Sequence, residues 1–306
     1  MAELDFVTLD VFTTTRFAGN PLAICLIPSG HDVSTGQMQK IAREFNLSET
    51  VFLHEEELAR DGLPEWKVRI FMTAAELPFA GHPTIGSACY ALGTIKNNAD
   101  KGRLLCRSGP ITIQYKNGKA EASIPHHFHL HSEFRFTENE VYELQPALKA
   151  EGCILQAIDV VSPVRGMNFI CVQLLDLKAL TLVELGKKPE ALLDRDWNEG
   201  FVGSYFYVIT KENLASDSDE IHIRARMIEG SIEDPATGSA ACGLSSLLAL
   251  KLTQKTSKFA ITQGVEMGRK SDIGVQVTLK DDLKTVEAIQ LSGSSVKVMR
   301  GKVHYD

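Results

Sequence analysis

An internal repeat constrains the fold of this sequence more than any other feature. The segment ELPFAGHPTIG at 76–86 aligns without a gap with EDPATGSAACG at 233–243, an offset of 157 positions (from 76 to 233) in a chain of 306 residues. Five residues are identical in this register. The identical pairs are Arg69 and Arg226, Glu76 and Glu233, Pro78 and Pro235, Gly81 and Gly238, and Gly86 and Gly243. A repeat with a period of about half the chain predicts a duplicated structural unit.

The elements predicted around the two copies also agree. An alternating apolar and polar stretch, typical of a strand, precedes each copy, and a stretch of small and apolar residues, typical of a helix, follows it. A hairpin comes next, and Asn117-Gly118 is its clearest turn signal. The predicted strand, helix and hairpin span 66–72, 85–92 and 109–124 in the first copy and 221–227, 240–250 and 263–279 in the second. The first strand of the second hairpin is predicted at 263–268 and its turn at 269–272. The sequence therefore predicts two similar domains related by a pseudo-two-fold axis.

The loop before each predicted helix is suited to binding an anion. Pro and Gly fix a turn at the helix start, where the first backbone N–H groups have no partner within the helix and carry the positive end of its dipole. A carboxylate or a developing oxyanion fits there. Gly81 is a candidate donor in the first loop, and Gly238 and Ser239 are candidates in the second, although Ser239 could instead cap its helix. Two such loops would hold one small acid between the two domains.

Glu49 is the first candidate for a catalytic residue. It lies in the polar tripeptide Ser48-Glu49-Thr50, directly before the apolar residues 51–53. A carboxylate at the mouth of an apolar strand can be partly desolvated, which would raise its pKa and let it take and return a proton near neutral pH. The alternative is a solvated glutamate at the end of a strand.

His82 and Asp234 lie in the two repeat loops and form a second candidate set. His82 stands between a glycine and a proline, where it could donate a hydrogen bond, act as a general acid or cap the helix. Asp234 could bind a substrate amine or hydroxyl, or cap its own loop through the N–H groups of Ala236 and Thr237.

A histidine-rich stretch predicts the linker between the domains. We expect the first domain over 1–125 and the second over 134–294, with a last strand near 295–306 that could return to the first sheet. Residues 125–133 contain four histidines, His126, His127, His129 and His131. In an extended segment the last three would share one face, a pattern that could bind a metal. Because a linker is a poor rigid platform, we favour a solvated connector without a metal.

Composition and missing motifs exclude several classes of function. The net charge is −7 and no basic stripe is visible, which argues against nucleic-acid binding. There is no apolar run of about 18 residues and no signal-peptide pattern, so we expect a cytoplasmic protein without a membrane span. The six cysteines form no CxxC pair and are expected to be reduced. Nucleotide, zinc-protease and serine-hydrolase motifs are missing, which favours chemistry without a cofactor: proton transfer, addition–elimination or hydrolysis.

Four motifs together resemble those of the phenazine-biosynthesis PhzF-like proteins. They are FAGNP at 17–21, LSETVF at 47–52 and the two repeat segments, in the order of that family and across essentially the whole chain. The resemblance implies an α+β, diaminopimelate-epimerase-like fold. In that fold each of two domains is an antiparallel, barrel-like β-sheet around a central helix, and the active site lies in the cleft between them. The resemblance also implies a homodimer.

The resemblance assigns roles to the candidate residues. Related amino-acid epimerases use one cysteine at each helix start, but Ala80 and Thr237 occupy those positions here, so a two-thiol mechanism cannot operate. In PhzF-like isomerases the glutamate of the Ser-Glu-Thr motif shuttles a proton, which corresponds to Glu49. The residues that bind and polarise the substrate correspond to His82, Asp234 and Ser239.

The sequence thus predicts a cofactor-independent isomerase of a biosynthetic process. It would move a proton on a small anionic molecule, a carboxylated or conjugated cyclic substrate, with Glu49 as general acid and base. Two alternatives stay open: a hydrolase or lyase that uses the same cleft, and a catalytically silent binding protein of the same fold.

Overall fold

Strands are the main regular elements of the structure. The computed structural model describes residues 2–211 and 220–305. The strands are β1 Ala2–Val11, β2 Asn20–Ile27, β3 Thr50–His54, β4 Glu57–Leu58, β5 Pro64–Phe71, β6 Glu76–Leu77, β7 Lys101–Cys106, β8 Gly109–Lys116, β9 Lys119–Ser123, β10 His129–Leu130, β11 Leu155–Val164, β12 Met167–Leu174, β13 Phe201–Lys211, β14 Glu220–Glu229, β15 Ile232–Asp234, β16 Thr256–Gln263, β17 Ser271–Leu279, β18 Val286–Gly293 and β19 Ser295–Tyr305. The helices are α1 Thr35–Phe45, α2 Gly81–Ala88, α3 Glu138–Leu144, α4 Pro146–Ala150, α5 Leu177–Thr181 and α6 Gly238–Leu252.

Two further helical turns are not α-helical. α2 continues as a π-helical stretch, Cys89–Ile95, and a 3₁₀ turn spans Arg195–Trp197. Among the described residues, no helix is long and apolar enough to cross a membrane.

The chain divides into two units. The first runs to Ile124 and takes in the chain again from Leu291 onward, and the second runs from Pro125 to Gln290. The long last strand, β19, pairs along the whole length of β1, from Ala2 opposite Tyr305 to Val11 opposite Ser295. The first unit therefore contains both ends of the chain.

The sheet of the first unit has the strand order β19-β1-β2-β3-β5-β7-β8-β9. Most neighbours are antiparallel, but β2 with β3 and β5 with β7 are parallel. Parallel neighbours need a crossover connection. α1 supplies the connection from β2 to β3, and α2 supplies the connection from β5 to β7.

The second unit repeats this arrangement with β10-β11-β12-β13-β14-β16-β17. Its parallel pairs, β12 with β13 and β14 with β16, occupy matching places in the order. The prediction of an α+β fold from a duplicated unit is confirmed. The prediction of antiparallel sheets needs one correction, because the helical crossovers make two pairs in each unit parallel.

The repeat seen in the sequence is reproduced in the strand register. Phe71 on β5 lies opposite Glu76 on β6. At the same offset of 157, Ile228 on β14 lies opposite Glu233 on β15. The two repeat segments therefore begin with the same short return strand, and both run from it into a helix.

An arginine–glutamate pair fixes this return strand in both units. In the first unit, Arg69 Nε and Nη2 each donate to a different carboxylate oxygen of Glu76 at 2.8 Å. In the second, Arg226 makes the same two bonds to Glu233, also at 2.8 Å. Arg226 Nη1 donates in addition to the carbonyl oxygen of Val183 at 2.5 Å. This bidentate pairing gives a physical reason for two of the five identities in the repeat.

A buried helix lies against the strands of each unit. All eight residues of α2 are buried, as are most of those of α6. α2 contacts β1, β2, β3, β8 and β9, and α6 contacts β11, β12, β16 and β17. A helix that is apolar on every side is typical of a fully buried position. These are the central helices that the sequence predicted, and they begin at Gly81 and Gly238.

The second repeated glycine of each segment lets the sheet approach its helix. A Cβ atom on Gly86 would lie 2.5 Å from Leu22 Cδ2, and one on Gly243 would lie 3.2 Å from Val161 Cγ2. Leu22 belongs to β2 of the first unit and Val161 to β11 of the second, so each contact joins a helix to a strand of its own unit. Glycine is therefore required at Gly86 by close packing, and a larger residue at Gly243 would displace its neighbours.

The remaining helices cover the other faces of the sheets. α1 buries Met38 and Ile41 against a cluster that includes Phe52 and Phe71 of the first unit. α3, α4 and α5 do the same in the second unit, where their buried residues pack with strand residues such as Phe206. Each sheet is thus enclosed by helices on two sides, which buries its strands and holds the helix starts in place.

The second predicted hairpin is displaced along the chain. The sequence placed its first strand at 263–268, but β16 ends at Gln263 and the turn follows. Gly264 and Gly268 adopt φ values of +73° and +76°, which suit turns and do not continue a strand. The first hairpin has the predicted form, with Lys116 opposite Lys119 around the Asn117-Gly118 turn.

We predict that the two arginine–glutamate pairs differ in their contribution to stability. Arg226 and Glu233 are 8% and 9% exposed, whereas Arg69 and Glu76 are 20% and 11% exposed. Glu233→Gln leaves a nearly buried guanidinium without its counter-charge and should lower the free energy of unfolding by about 3 kcal/mol. Glu76→Gln should lower it by about half as much, because water can reach Arg69. Urea denaturation of both variants measures the difference, and equal losses would contradict this account.

Candidate active site

Glu49 and His82 lie close together in the first unit. Glu49 immediately precedes β3, and His82 is the second residue of α2, which contacts that strand. Glu49 Oε2 lies 3.6 Å from His82 Nδ1, and the two side chains are 16% and 5% exposed. The fold therefore brings a carboxyl and an imidazole from separate motifs into one small polar group.

Burial raises the pKa of the Glu49 carboxyl above its usual range, and a hydrogen bond from the Ser48 side chain opposes this shift. Desolvation disfavours the charged form of a carboxyl. A glutamate with a raised pKa can both accept and return a proton closer to neutral pH, as general acid–base catalysis requires. The environment of Glu49 is therefore compatible with proton transfer.

The helix start beside this pair has no side-chain cap. Ala80 is the N-cap residue of α2, and as an alanine it offers no acceptor to the N–H groups of the first turn. Gly81 is buried as the first residue of the helix. The next residue is His82, whose imidazole lies 3.6 Å from Glu49.

The matching position in the second unit holds Asp234, Gly238 and Ser239. Asp234 ends β15, Gly238 begins α6, and the half-buried Ser239 follows it. The hydroxyl of Thr237 donates to Asp234 Oδ2 at 2.6 Å. Thr237 is the N-cap residue of α6, yet its side chain does not cap the helix. The predicted residues of this loop thus lie together at the helix start.

Gln263 contacts this loop and was not predicted from the sequence. Its Nε2 donates to the carbonyl oxygen of Asp234 at 2.7 Å and to Thr237 Oγ1 at 3.0 Å. Its Oε1 accepts from the N–H of Thr237 at 3.3 Å and from the hydroxyl of Tyr205 at 3.1 Å. At the offset of 157 the residue is Cys106, so the repeat gave no signal for Gln263.

The predicted histidine linker is packed into the second unit. His129 Nε2 donates to Asp194 Oδ2 at 2.8 Å, and Ser132 and Glu133 donate their N–H groups to the same carboxylate. His129 also stacks on Trp197, with ring centroids 4.5 Å apart and planes at 6°. The backbone pairs as β10 with β11.

His131 is held as a neutral imidazole inside this group. Its Nδ1 accepts from the N–H of Asp194 at 3.1 Å, which places its proton on Nε2, facing Ser162 Oγ at 2.8 Å. Ser162 in turn donates to Asn168 Oδ1 at 2.6 Å. Burial lowers the pKa of His131, which agrees with the neutral form.

The prediction of a solvated connector is therefore wrong, since His131 is 7% exposed. Nitrogen and carboxylate atoms of His129, His131 and Asp194 lie within 4.8 Å of one another, a spacing that one metal ion could bridge. Hydrogen bonds already use the facing atoms of all three side chains. Hydrogen bonding and ring stacking account for this cluster.

Comparison with known proteins gives a consistent result. A sequence model of a family described as phenazine biosynthesis-like protein, PhzC-PhzF, matches residues 9–301. The chain is 33% identical to an isomerase of Mesorhizobium japonicum that is described as uncharacterized, over 99% of each chain. It is 31% identical to the trans-2,3-dihydro-3-hydroxyanthranilate isomerase of Pseudomonas aeruginosa, over 98% of this chain and 99% of the relative.

Solved structures are similar in fold. A phenazine biosynthesis protein of the PhzF family from Bacillus anthracis has a TM-score of 0.77 at 20% identity, over 99% of this chain and 100% of that one. A hydroxyproline epimerase from Agrobacterium vitis has a TM-score of 0.58 at 11% identity, over 98% of this chain and 92% of that one. The predicted epimerase-like fold is confirmed.

We predict that Glu49→Gln stabilises the protein at neutral pH. Because burial raises the carboxyl's pKa in the folded state, the folded protein holds the proton more tightly than the unfolded chain. The stabilising effect of this proton is complete below the unfolded pKa, about 4.3, and is lost as the pH rises through the folded value. A folded pKa that is higher than the unfolded pKa by one corresponds to about 1.4 kcal/mol of unfolding free energy. Urea midpoints should favour the variant increasingly from pH 4.5 to 8, and a less stable variant at pH 8 would contradict this.

We predict the opposite pH dependence for Asp194→Asn. The hydrogen bond from His129 and those from the N–H groups of Glu133 and Ser132 hold the Asp194 pKa below its usual range, although burial acts in the other direction. The carboxylate therefore stabilises the fold above the unfolded pKa, about 3.9, and this effect disappears as the pH falls through the folded value. At pH 7 the variant should lose about 2 kcal/mol of unfolding free energy, whereas Asp196→Asn, an exposed neighbour, should lose almost none. A loss that persisted undiminished at pH 3 would contradict this assignment.

Proposed function

The chain belongs to the phenazine biosynthesis-like (PhzC-PhzF) family, and we propose that it is a cofactor-independent isomerase in which Glu49 transfers the proton. Several curated relatives are named isomerases, among them those from Mesorhizobium japonicum and Pseudomonas aeruginosa, and these two matches extend over nearly the whole of each chain. The observation that supports the proton-transfer role is the Glu49 carboxyl itself. It is largely buried, its pKa is raised by that burial, and it lies 3.6 Å from His82.

The proposed reaction moves one proton without changing the mass of the substrate. Glu49 as the carboxylate removes a proton from a carbon that is acidified by a neighbouring carboxylate or conjugated system. As the carboxylic acid it then returns the proton to another carbon of the same molecule. A pKa between the usual glutamate value and neutrality lets one group perform both steps, because neither protonation state is then strongly disfavoured.

The other candidate residues are proposed to bind the substrate. The imidazole of His82, 3.6 Å from Glu49, is proposed to donate a hydrogen bond to the substrate. Gly81 and Gly238 contribute backbone N–H groups at the two helix starts, where a substrate carboxylate or a developing oxyanion is stabilised. Ser239 adds a hydroxyl donor, and Asp234 accepts a hydrogen bond from an amine or hydroxyl.

The substrate class follows from these groups. Donors at helix starts favour an anion, and a carboxylate acceptor favours an amine or hydroxyl on the same molecule. A small cyclic amino or hydroxy acid has both. The relative from Pseudomonas aeruginosa is named for trans-2,3-dihydro-3-hydroxyanthranilate, which carries a carboxylate, an amine and a hydroxyl on one ring. We propose a substrate of this type, and the homodimer and the cytoplasmic location stay predictions.

We predict that the wild-type protein introduces deuterium from D₂O into such a substrate. The panel consists of trans-2,3-dihydro-3-hydroxyanthranilate and other cyclic amino and hydroxy acids, followed by mass spectrometry. Glu49→Gln should slow the exchange by about 10²–10⁴-fold, the range for loss of a general acid–base group. Glu44→Gln, on the exposed side of α1, is the control and should exchange like the wild type.

The same measurement separates the alternative functions. A hydrolase or lyase would give products of altered mass, whereas an isomerase leaves only the mass of the exchanged deuterium. A binding protein without chemistry would shift in thermal stability with a panel member but would incorporate no deuterium. Exchange that is equally fast in Glu49→Gln would exclude Glu49 as the proton-transfer group.

A further inference from the structure

A buried glutamine connects the loop of Asp234 to the end of a neighbouring strand. Gln263 is the last residue of β16 and is fully buried, and Thr237, which it contacts, is 8% exposed. Four hydrogen bonds use both donors and both acceptor positions of its amide. A side chain with all its hydrogen bonds formed in a buried place has one orientation.

Two backbone groups determine which way this amide points. The carbonyl oxygen of Asp234 can only accept, so the group that faces it at 2.7 Å is the Gln263 NH₂. The N–H of Thr237 can only donate, so the group that faces it at 3.3 Å is the Gln263 oxygen. The orientation therefore does not depend on how the oxygen and nitrogen of an amide are assigned.

The amide in turn determines the direction of the Thr237 hydroxyl. Gln263 Nε2 donates to Thr237 Oγ1 at 3.0 Å, so this hydroxyl already acts as an acceptor there. Its own proton is directed at Asp234 Oδ2, 2.6 Å away. These hydrogen bonds therefore form a relay that runs one way, from Gln263 to Thr237 to Asp234. The Gln263 amide fixes the direction of the Thr237 hydroxyl, and this hydroxyl donates to Asp234.

We propose that Gln263 and Thr237 are positioning residues that hold the Asp234 carboxylate as a hydrogen-bond acceptor and thereby select substrates with an N–H or O–H donor. This inference rests on the proposed function of Asp234 as a substrate-binding residue. A carboxylate that receives a hydrogen bond is stabilised in its charged form. The carboxylate oxygens can only accept hydrogen bonds. A substrate group that faces them therefore binds most favourably when it donates one.

Backbone packing keeps the two ends of this relay together. A Cβ atom on Gly264, the residue after Gln263, would lie 2.7 Å from the carbonyl oxygen of Pro235 and 2.6 Å from that of Arg269. The end of β16 and the loop of Asp234 are therefore in direct backbone contact. Because this contact admits no larger residue, the distance between Gln263 and Thr237 is set by the fold.

Of the two repeat loops, only that of the second unit has this relay. At the offset of 157, Thr237 corresponds to Ala80 and Gln263 corresponds to Cys106, neither of which can reproduce it. The loop of the first unit has an alanine N-cap without a hydroxyl. The first unit forms its fold without such a relay. We therefore attribute the relay of the second unit to a role that is specific to Asp234.

The test compares two probes that differ in their donors. 3-Hydroxyanthranilate carries the carboxylate, hydroxyl and amine of the proposed substrate class on an aromatic ring, and benzoate keeps the carboxylate but has neither donor. Calorimetry with the wild type should give about tenfold tighter binding of the amine-bearing probe, as expected for a hydrogen bond to a charged acceptor. Thr237→Val keeps the shape and removes the hydroxyl, and should bring the ratio of the two dissociation constants close to one.

Thr237→Ser restores the hydroxyl and should restore the ratio. The ratio is insensitive to a misfolded fraction, because both probes are measured on the same protein. An unchanged preference in Thr237→Val would overturn the relay. A Thr237→Ser variant that behaves like Thr237→Val would also overturn it, because the hydroxyl would then not determine the preference.

A second measurement needs no ligand. The ¹³C carboxyl resonance of Asp234, assigned by its loss in Asp234→Asn, is titrated in the wild type and in both Thr237 variants. Thr237→Val should move the midpoint to a pH that is higher by about one, and Thr237→Ser should leave it in place. If the wild type binds neither probe, the proposed substrate class fails while this titration still decides the relay. An unmoved midpoint in Thr237→Val contradicts the relay whatever the probes show.

Discussion

The burial of one helix within each unit is the constraint on which the rest of the structure depends. α2 and α6 contact strands of their own unit along most of their length, so they are built from small and apolar residues, with glycine where a strand comes closest. The first turn of such a helix is the part whose backbone N–H groups need partners outside it. Polar side chains therefore gather at the two helix starts, where Gly81-His82 and Gly238-Ser239 occupy matching positions.

The two units share this scaffold and differ in their chemistry. The arginine–glutamate pairs and the helix glycines are identical because they form the return strand and the helix–sheet contact. At the N-cap position, Ala80 in the first unit corresponds to Thr237 in the second. The first unit places a glutamate of raised pKa beside its helix start, and the second places Asp234 there under a hydroxyl donor. The repeated framework thus carries the proposed proton-transfer group in one copy and a carboxylate that accepts a hydrogen bond in the other.

Local signals predicted the framework well, and contacts between distant residues limited the rest. The Asn117-Gly118 turn and the repeat register depend on neighbours in the chain, and both were recognised in the sequence. The prediction of a strand at 263–268 was wrong because Gly264 and Gly268 adopt positive φ values, which the apolar and polar alternation of this stretch does not reveal. The burial of His131 depends on Asp194, 63 positions away, and no local pattern reveals such a partner. The partners of Gln263 in the Asp234 loop lie 26 and 29 positions away in the sequence, so only the folded chain shows its role.

The raised pKa of Glu49 is the central claim, because both the isomerase chemistry and the stability cost of this carboxyl depend on it. The most direct measurement is a ¹³C titration of the Glu49 side-chain carboxyl in the wild-type protein, with the resonance assigned by its absence in Glu49→Gln. The structure predicts a midpoint clearly above about 4.3, the ordinary value of a glutamate. A midpoint at or below that value would show that burial does not disfavour the ionised carboxyl, and would contradict its proposed role as the group that takes and returns the proton.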